Sequence, residues 1–302
     1  MASVSLNQTN SKFAGRETNS NKRIGLIAGW GSFPVRVAQV LKAQGYEVFC
    51  MAIKDHADPK LAEICDDYRV FGMGRMGAQV RYLRKSGVHE ATMAGKVFKT
   101  KIFERFHLIK HCPDFTFWRH FYPIFLTKTK DRKDDTLLLT VTRLYAAGGI
   151  NFSPATQYAP ELLVDQGTLT KLEPTKSQWK DIRFGWQTAK EMGRLDIGQS
   201  VIVKDQAVLA VEAIEGTDAC IARAGQLCKA GGFTLVKVAK PEQDMRFDVP
   251  TIGIGTVETL HAAGGKVIAV DAHKTILLDP EQTIARANQL GITIVATGPD
   301  PA

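Results

Sequence analysis

Apolar runs that stop at a glycine, each followed by a helical pattern, recur along the first half of the chain and constrain its fold more than any other feature. Residues 23–29 (Arg-Ile-Gly-Leu-Ile-Ala-Gly) read as a buried strand and Gly29-Trp-Gly-Ser-Phe-Pro34 as the turn that ends it. Residues 35–44 carry apolar side chains at helical spacing and stop at Gly45, a residue suited to a helix C-terminus. Residues 46–53 then form a second apolar run, which completes a β-α-β unit and predicts a parallel pair with a right-handed crossover. The alternation continues with a short strand at 69–72, a helix at 76–85 ending near Gly87, a strand at 90–94 closing on Gly95-Lys96, and a helix at 134–147 closed by Gly148-Gly149. Such repetition predicts an α/β fold with a doubly wound parallel sheet.

The pattern changes after residue 150. Residues 151–176 are rich in Pro, Thr and Gln with little periodicity. Beyond them, helices are expected at 178–192, 217–229 and 280–290, strands at 233–239 and 292–296, and hairpins at 200–213 and 267–278. The expected organisation is a disordered tail (1–22), a doubly wound α/β N-terminal domain (23–155), a linker region (156–176) and a distinct mixed α/β C-terminal domain (177–302).

Bulk properties narrow the setting. No apolar run approaches the ~18 residues of a membrane span. The five cysteines are odd in number and none has CxxC spacing, which argues for free thiols in a reducing compartment. The tail has no apolar core, so it does not read as a secretory signal. The formal charge of +8 is concentrated: residues 94–133 hold ten Lys or Arg and three acids. A localised basic region speaks of a partner. The same stretch is full of aromatic rings, among them Phe98, Phe103, Phe115, Phe117, Trp118 and Phe121. Interleaved rings and bases suit single-stranded nucleic acid, a bilayer interface, or a flap that packs its rings inward. His107 and His111 stand at i, i+4 without an acid placed to complete a zinc site.

Several motifs can carry chemistry. In Gly29-x-Gly31-x-x-Pro34, glycines let backbone N–H groups approach phosphate oxygens at a helix N-terminus, with Ser32 as cap. The dinucleotide fingerprint needs a third glycine where Pro34 stands, which argues against a nicotinamide cofactor; a tight strand-to-helix turn is the plainer alternative. Asp134 and Asp135 open a helix, where carboxylates suit the dipole and equally suit Mg²⁺ or a sugar hydroxyl. In the turn 194–200, Arg194 is a phosphate clamp or a partner of Asp196. Glu212-Ala-Ile-Glu215-Gly216-Thr217-Asp218 leaves a strand and enters a helix, presenting oxygens that cap it, hold a divalent cation or bind a ligand. The segment 237–253 mixes Lys240, Asp244, Arg246 and Asp248 between apolar strands, as active-site loops do and solvated loops also do.

Taken in order, Ile-Gly-Leu-Ile-Ala-Gly-x-Gly (24–31), Ala-Asp-Pro (57–59), Ala-Gly-Lys-Val (94–97), Lys-x-Asp near Asp134, Gly-Arg-Leu-Asp-Ile-Gly-Gln (193–199), Ala-Val-Glu-Ala-x-Glu-Gly-Thr-Asp-Ala (210–219) and Asp-x-Pro-Thr-Ile-Gly (248–253) resemble the LpxI-type UDP-2,3-diacylglucosamine pyrophosphatases over residues 23–298. The resemblance implies a metal-dependent hydrolase of lipid A biosynthesis that splits UDP-2,3-diacylglucosamine into UMP and 2,3-diacylglucosamine 1-phosphate, with a Rossmann-like N-terminal domain, a C-terminal α/β catalytic domain and the active site in the interdomain cleft. Asp248 matches the family's essential acidic position. On this reading Asp248 leads a Mg²⁺ or Mn²⁺ shell and Asp218 assists. Gly29, Gly31, Ser32, Gly95, Lys96, Asp134, Asp135, Gln199, Glu215, Gly216 and Thr217 contact a lipid-linked nucleotide-sugar substrate. Residues 97–126 touch the inner-membrane surface of a cytoplasmic, peripheral enzyme that needs no nucleic acid, and a homodimer is compatible with it. The length and aromatic content of 98–130 and the polar tail depart from the family pattern and leave the acyl chains open. Two rivals make different predictions: a nicotinamide-dependent oxidoreductase binds NAD(P)H, and a non-catalytic nucleotide-sugar or nucleic-acid binder releases no UMP.

Overall fold

The computed structural model describes residues 22–96, 113–126, 134–241 and 243–298. Two lobes, each an α/β layer structure, account for them.

The N-terminal lobe is built on five parallel strands: β1 (Arg23–Ala28), β2 (Glu47–Ile53), β3 (Asp67–Phe71), β4 (Glu90–Ala94) and β5 (Asn151–Phe152), in the order β3-β2-β1-β4-β5. Alternation along β1 sends Ile24, Leu26 and Ala28 to one face, where they pack with Val37, Ala38 and Leu41 of α1 (Phe33–Ala43). Ile27 joins the other face, against Val80 and Leu83 of α2 (Met76–Lys85). Two further helices, α3 (Phe115–Leu126) and α4 (Asp134–Ala147), cover that second face with Phe121, Leu144 and Tyr145. The buried Tyr145 hydroxyl donates to Gln79 of α2, which satisfies both.

The C-terminal lobe holds six strands in the order β6-β13-β11-β9-β7-β8. Strands β9 (Thr234–Lys237), β11 (Val267–Asp271) and β13 (Thr293–Thr297) are parallel, flanked by antiparallel β6 (Gly167–Thr168) and the hairpin β7 (Ser200–Lys204) and β8 (Ala207–Val211). The hairpin turns on Asp205 and Gln206, both at positive φ, as a two-residue turn requires. Asp181, 3% exposed, accepts both of their N–H groups and ties the turn to α5 (Lys176–Arg194). Helix α5 starts two residues before the expected 178, because Thr175 and Gln178 form a reciprocal capping box. Its Ile182, Trp186 and Ala189 bury one face of the sheet. The other face is covered by α6 (Thr217–Leu227), α7 (Ile254–Ala262) and α8 (Pro280–Leu290).

One expected element is corrected. Residues 267–278 are not a hairpin: both edges of β11 are taken by β9 and β13, so the chain turns at His273 (φ 58) and β12 (Ile276–Leu277) pairs with β10 (Thr251–Ile252) instead. Residues 156–176 connect the lobes and contribute to each. Tyr158, Ala159 and Leu162 are buried in the N-terminal core, while residues 167–168 are strand β6 of the other lobe. The tail expected at 1–22 lies outside the described residues except for Lys22, whose carbonyl accepts from Glu47 N.

The lobes meet through β12. Ile276 is buried in the N-terminal core with Val249 and Leu278 packed beside it, and Leu163 bridges to Ile276. A cavity of about 520 Å³ lies along this seam, lined by Ser32, Arg36 and Gln39 on one side and Leu277, Asp279 and Gln282 on the other.

Candidate active site

In an open parallel sheet, ligands bind beyond the carboxyl ends of the strands where the strand order reverses. Here that point lies between β1 and β4. The two loops leaving these strands are joined: Gly29 N donates to Ala94 O (2.8 Å), Trp30 N to Lys96 O (2.8 Å) and Lys96 N to Trp30 O (3.0 Å). The join needs glycine on both sides. A Cβ on Gly29 would stand 2.7 Å from Lys96 O, and one on Gly95, which has φ 91, would stand 2.8 Å from the Gly29 carbonyl carbon and 2.7 Å from Pro34. Gly31 (φ 108) has open space where a Cβ would be. Ser32 occupies the N-cap of α1, but its side chain makes no cap hydrogen bond and is exposed, so the expected capping role is corrected. Gly29, Gly31, Ser32, Gly95 and Lys96 are therefore one surface.

The C-terminal lobe answers with charge. Lys237 ends β9, 7% exposed, and its Nζ donates to Thr217 Oγ1 (2.9 Å). Thr217 in turn donates to Glu212 Oε1 (2.9 Å). Gly216 (φ 84) makes the turn that starts α6 there. Burial pushes the Lys237 ammonium down from its ordinary pKa. The carboxylates of Glu212, Asp248 and Asp218 oppose that push, and Lys96 of the other lobe adds to it. So Lys96, Thr217, Asp218, Lys237 and Asp248, contributed by both lobes, share one electrostatic neighbourhood.

Asp248 is carried on a tethered loop. Lys240 Nζ pairs with Asp196 Oδ1 (2.6 Å), and Gln243 Nε2 donates to Asp248 Oδ2 (2.6 Å) and to Gln199 Oε1 (3.3 Å). Thus Gln199 reaches Asp248 through Gln243. Arg246 grips Asp244 with Nε and Nη2 (2.9 and 2.5 Å), which holds the Asp244 carboxyl below the usual carboxylate range. The loop's start is fixed by Asp271 (side chain 4% exposed), which accepts from Lys190 Nζ (2.6 Å) and Ala239 N (3.3 Å).

Other expected residues have partners of their own or lie outside the described residues. Arg194 is exposed and pairs with Glu191, leaving Asp196 to Lys240. Glu215 accepts from Ala213 N and pairs with Arg223 (2.6 Å); backbone N–H groups, its own first, and Arg223 lower its pKa. Asp134 and Asp135 open α4 as expected, but their side chains lie outside the described residues, as do His107, His111 and residues 97–112 of the basic, aromatic stretch. Within the described part of that stretch, Phe117 and Phe121 stack at 4.5 Å against the core, whereas Phe115 and Trp118 are exposed at 80% and 47%. Sequence reasoning missed Lys237 and Gln243 as site residues and marked Glu212 only as part of the 212–218 motif. The available signal was a lysine closing the apolar run Thr-Leu-Val in a strand buried on both faces.

A two-lobed α/β protein with a glycine-sealed switch point facing buried lysine and carboxylates has the construction of an enzyme acting on a phosphorylated ligand. Residues 23–162 match the LpxI N-terminal domain and residues 165–295 the LpxI C-terminal domain. The chain belongs to the LpxI family. It is 33% identical over 287 residues, 92% of this chain and 98% of the relative, to the UDP-2,3-diacylglucosamine pyrophosphatase LpxI of Caulobacter vibrioides.

Proposed function

We propose that this chain hydrolyses the pyrophosphate bond of UDP-2,3-diacylglucosamine, releasing UMP and 2,3-diacylglucosamine 1-phosphate, in lipid A biosynthesis. One observation carries the proposal: the similarity to the Caulobacter pyrophosphatase spans both lobes, and so includes both walls of the site. In the reaction water adds to phosphorus, one P–O bond forms, the anhydride P–O bond breaks, and the water's proton is released.

The chain's own groups suit that reaction. Gly29 N, Trp30 N and Lys96 N are spent on the seal, so phosphate oxygens would be taken by the backbone at Gly31 and Ser32, where α1 begins, and by the Lys96 side chain. Gln243 holds the Asp248 carboxylate in one orientation, which Gln199 supports from behind. Among the described residues no three His, Cys, Asp or Glu side chains gather as a metal cluster. Mg²⁺ asks for less, one or two carboxylates plus the substrate's phosphates, and Asp248 with Asp218 would supply them. Bound there, Mg²⁺ or Mn²⁺ would neutralise charge on the pyrophosphate and acidify a water. The exposed Phe115 and Trp118 begin the surface by which residues 97–126 would touch the inner membrane, where a lipid-linked substrate resides; among the described residues no helix is long and apolar enough to cross it.

The test is incubation of purified protein with UDP-2,3-diacylglucosamine and Mg²⁺ or Mn²⁺, following UMP. The wild type should release UMP, and Asp248→Ala should release none while melting as the wild type does. UMP release by Asp248→Ala at the wild-type rate removes Asp248 from the mechanism, and a wild type without UMP release removes the substrate.

A further inference from the structure

We propose that Lys237 is a resident cation of the active site that contacts the substrate's phosphates directly, and that Thr217 and Glu212 are positioning residues that aim it. The inference rests on the pyrophosphatase reading for the identity of the anion.

Lys237 does not look like a lysine that merely closes an ion pair. Its ammonium has three N–H donors. Among the described residues one of them is spent, on a neutral hydroxyl, Thr217 Oγ1. The hydroxyl's own proton goes to Glu212 Oε1, so Thr217 is fixed from both sides and turns an oxygen lone pair toward the lysine. Glu212 is 8% exposed, and its second oxygen, Oε2, has no partner among the described residues. Buried charged groups with unspent hydrogen-bonding capacity are costly to maintain, and their persistence side by side at the end of β9 points to something that arrives to meet them.

The charges around Lys237 say what arrives. Lys96 comes from the opposite lobe, on the glycine-sealed loop, and its positive charge opposes the Lys237 ammonium. Two cations that oppose each other's charge, one from each lobe, are both favoured by an anion that meets them. A diphosphate carries enough charge to satisfy both. The carboxylates of Asp218 and Asp248 act on Lys237 as well and favour its charged form. Lys96 would meet the phosphates from the sheet side, and Lys237 from the side of the acid loop.

The experiment compares Lys237→Met, Thr217→Val and Thr217→Ser with the wild type by UMP release, by calorimetric titration with UDP, and by thermal melting. Methionine fits the lysine's apolar stem but leaves the buried Glu212 without its opposing charge, so Lys237→Met should stay folded and melt below the wild type. Its kcat should fall roughly 100- to 1000-fold, the scale of losing one donor aimed at developing charge, and its UDP affinity should fall at least about tenfold. Thr217→Val should lose roughly tenfold in kcat with little change in melting, and Thr217→Ser, which restores the hydroxyl, should recover most of it. A Lys237→Met protein that turns over and binds UDP like the wild type overturns the proposal. So does a Thr217→Val protein indistinguishable from Thr217→Ser, and that comparison decides the matter if Lys237→Met does not fold. If the wild type binds UDP through Lys237 yet releases no UMP from the lipid, the lysine assignment stands and the substrate assignment fails. If the wild type neither binds UDP nor releases UMP, both fail.

Discussion

The seal between the two N-terminal loops can be tested by adding single methyl groups. Gly95→Ala has two costs that the structure separates. The residue sits at φ 91, where an L side chain is strained by about 1 kcal/mol or more. Its new Cβ would also fall 2.8 Å from the Gly29 carbonyl carbon and 2.8 Å from Trp30 O, backbone atoms that move only if the loop moves, which adds about 1–3 kcal/mol of overpacking. Gly45→Ala is the control. It has φ 82 and nothing within 4 Å of its Cβ, so it carries the strain alone. At about 2–4 °C per kcal/mol for a domain of this size, Gly45→Ala should lower the melting midpoint by about 2–4 °C and Gly95→Ala by about 4–16 °C. Gly29→Ala has no positive φ but meets Lys96 O at 2.7 Å, so it should show the packing cost without the strain. Differential scanning calorimetry reads the midpoints, and UMP release reads the consequence: displacing Lys96 and the N–H groups should cost kcat/KM in Gly95→Ala and leave Gly45→Ala unchanged. A Gly95→Ala protein that melts together with Gly45→Ala would refute the claim that the two loops are held in backbone contact.

Two further outcomes follow from the C-terminal lobe. Asp271→Ala leaves the partly buried Lys190 ammonium and the Ala239 N–H without their carboxylate; removing one partner of such a pair costs about 3 kcal/mol, and UMP release should fall with stability because the loop to Asp248 loses its first anchor. Asp244 responds to pH: Arg246 holds its folded pKa below the unfolded value of about 3.9, so its contribution is present above that value and is lost as pH falls through the lower, folded pKa. Acid unfolding of Arg246→Met should lose that limb, and coincident acid curves for the two proteins would show that the pair contributes nothing.

How far the sequence carried the reading depends on the range of the interactions involved. The β-α-β alternation was legible because strand burial and glycine stops are written in adjacent residues: Gly29, Gly45, Gly87, Gly95 and Gly149 each close an element in the structure, and four of them do so at positive φ. The hairpin at 200–213 was legible for the same reason. Residues 267–278 misled, since two apolar runs around Asp-Ala-His-Lys look alike whether they pair with each other or with distant strands, and only the occupancy of both edges of β11 decides. Within the site, Gly29 with Gly95, and Gln199 with Asp248, were marked as separate motifs, yet their junctions depend on Trp30–Lys96 and on Gln243. Lys237 escaped notice because its meaning lies in residues 20 to 25 positions upstream, Thr217 and Glu212, and in Lys96 on the other lobe.

The two lobes solve one problem with unlike means. Each puts its contribution at the carboxyl ends of parallel strands: β1 and β4 in one, β9 in the other, with the Asp248 loop leaving β9 directly. The N-terminal wall offers backbone N–H groups and Lys96, which attract a polyanion but cannot orient a nucleophile. The C-terminal wall offers Asp218 and Asp248, which can hold a cation and a water but on their own would repel the pyrophosphate. Lys237 is the exception that makes the acidic wall approachable, a cation buried at the base of the carboxylates, and its dependence on Thr217 and Glu212 explains why a strand end, a helix start and a loop must all be in register before the site works. Activity should therefore follow the docking of the lobes through β12 and Ile276 as closely as it follows any single side chain.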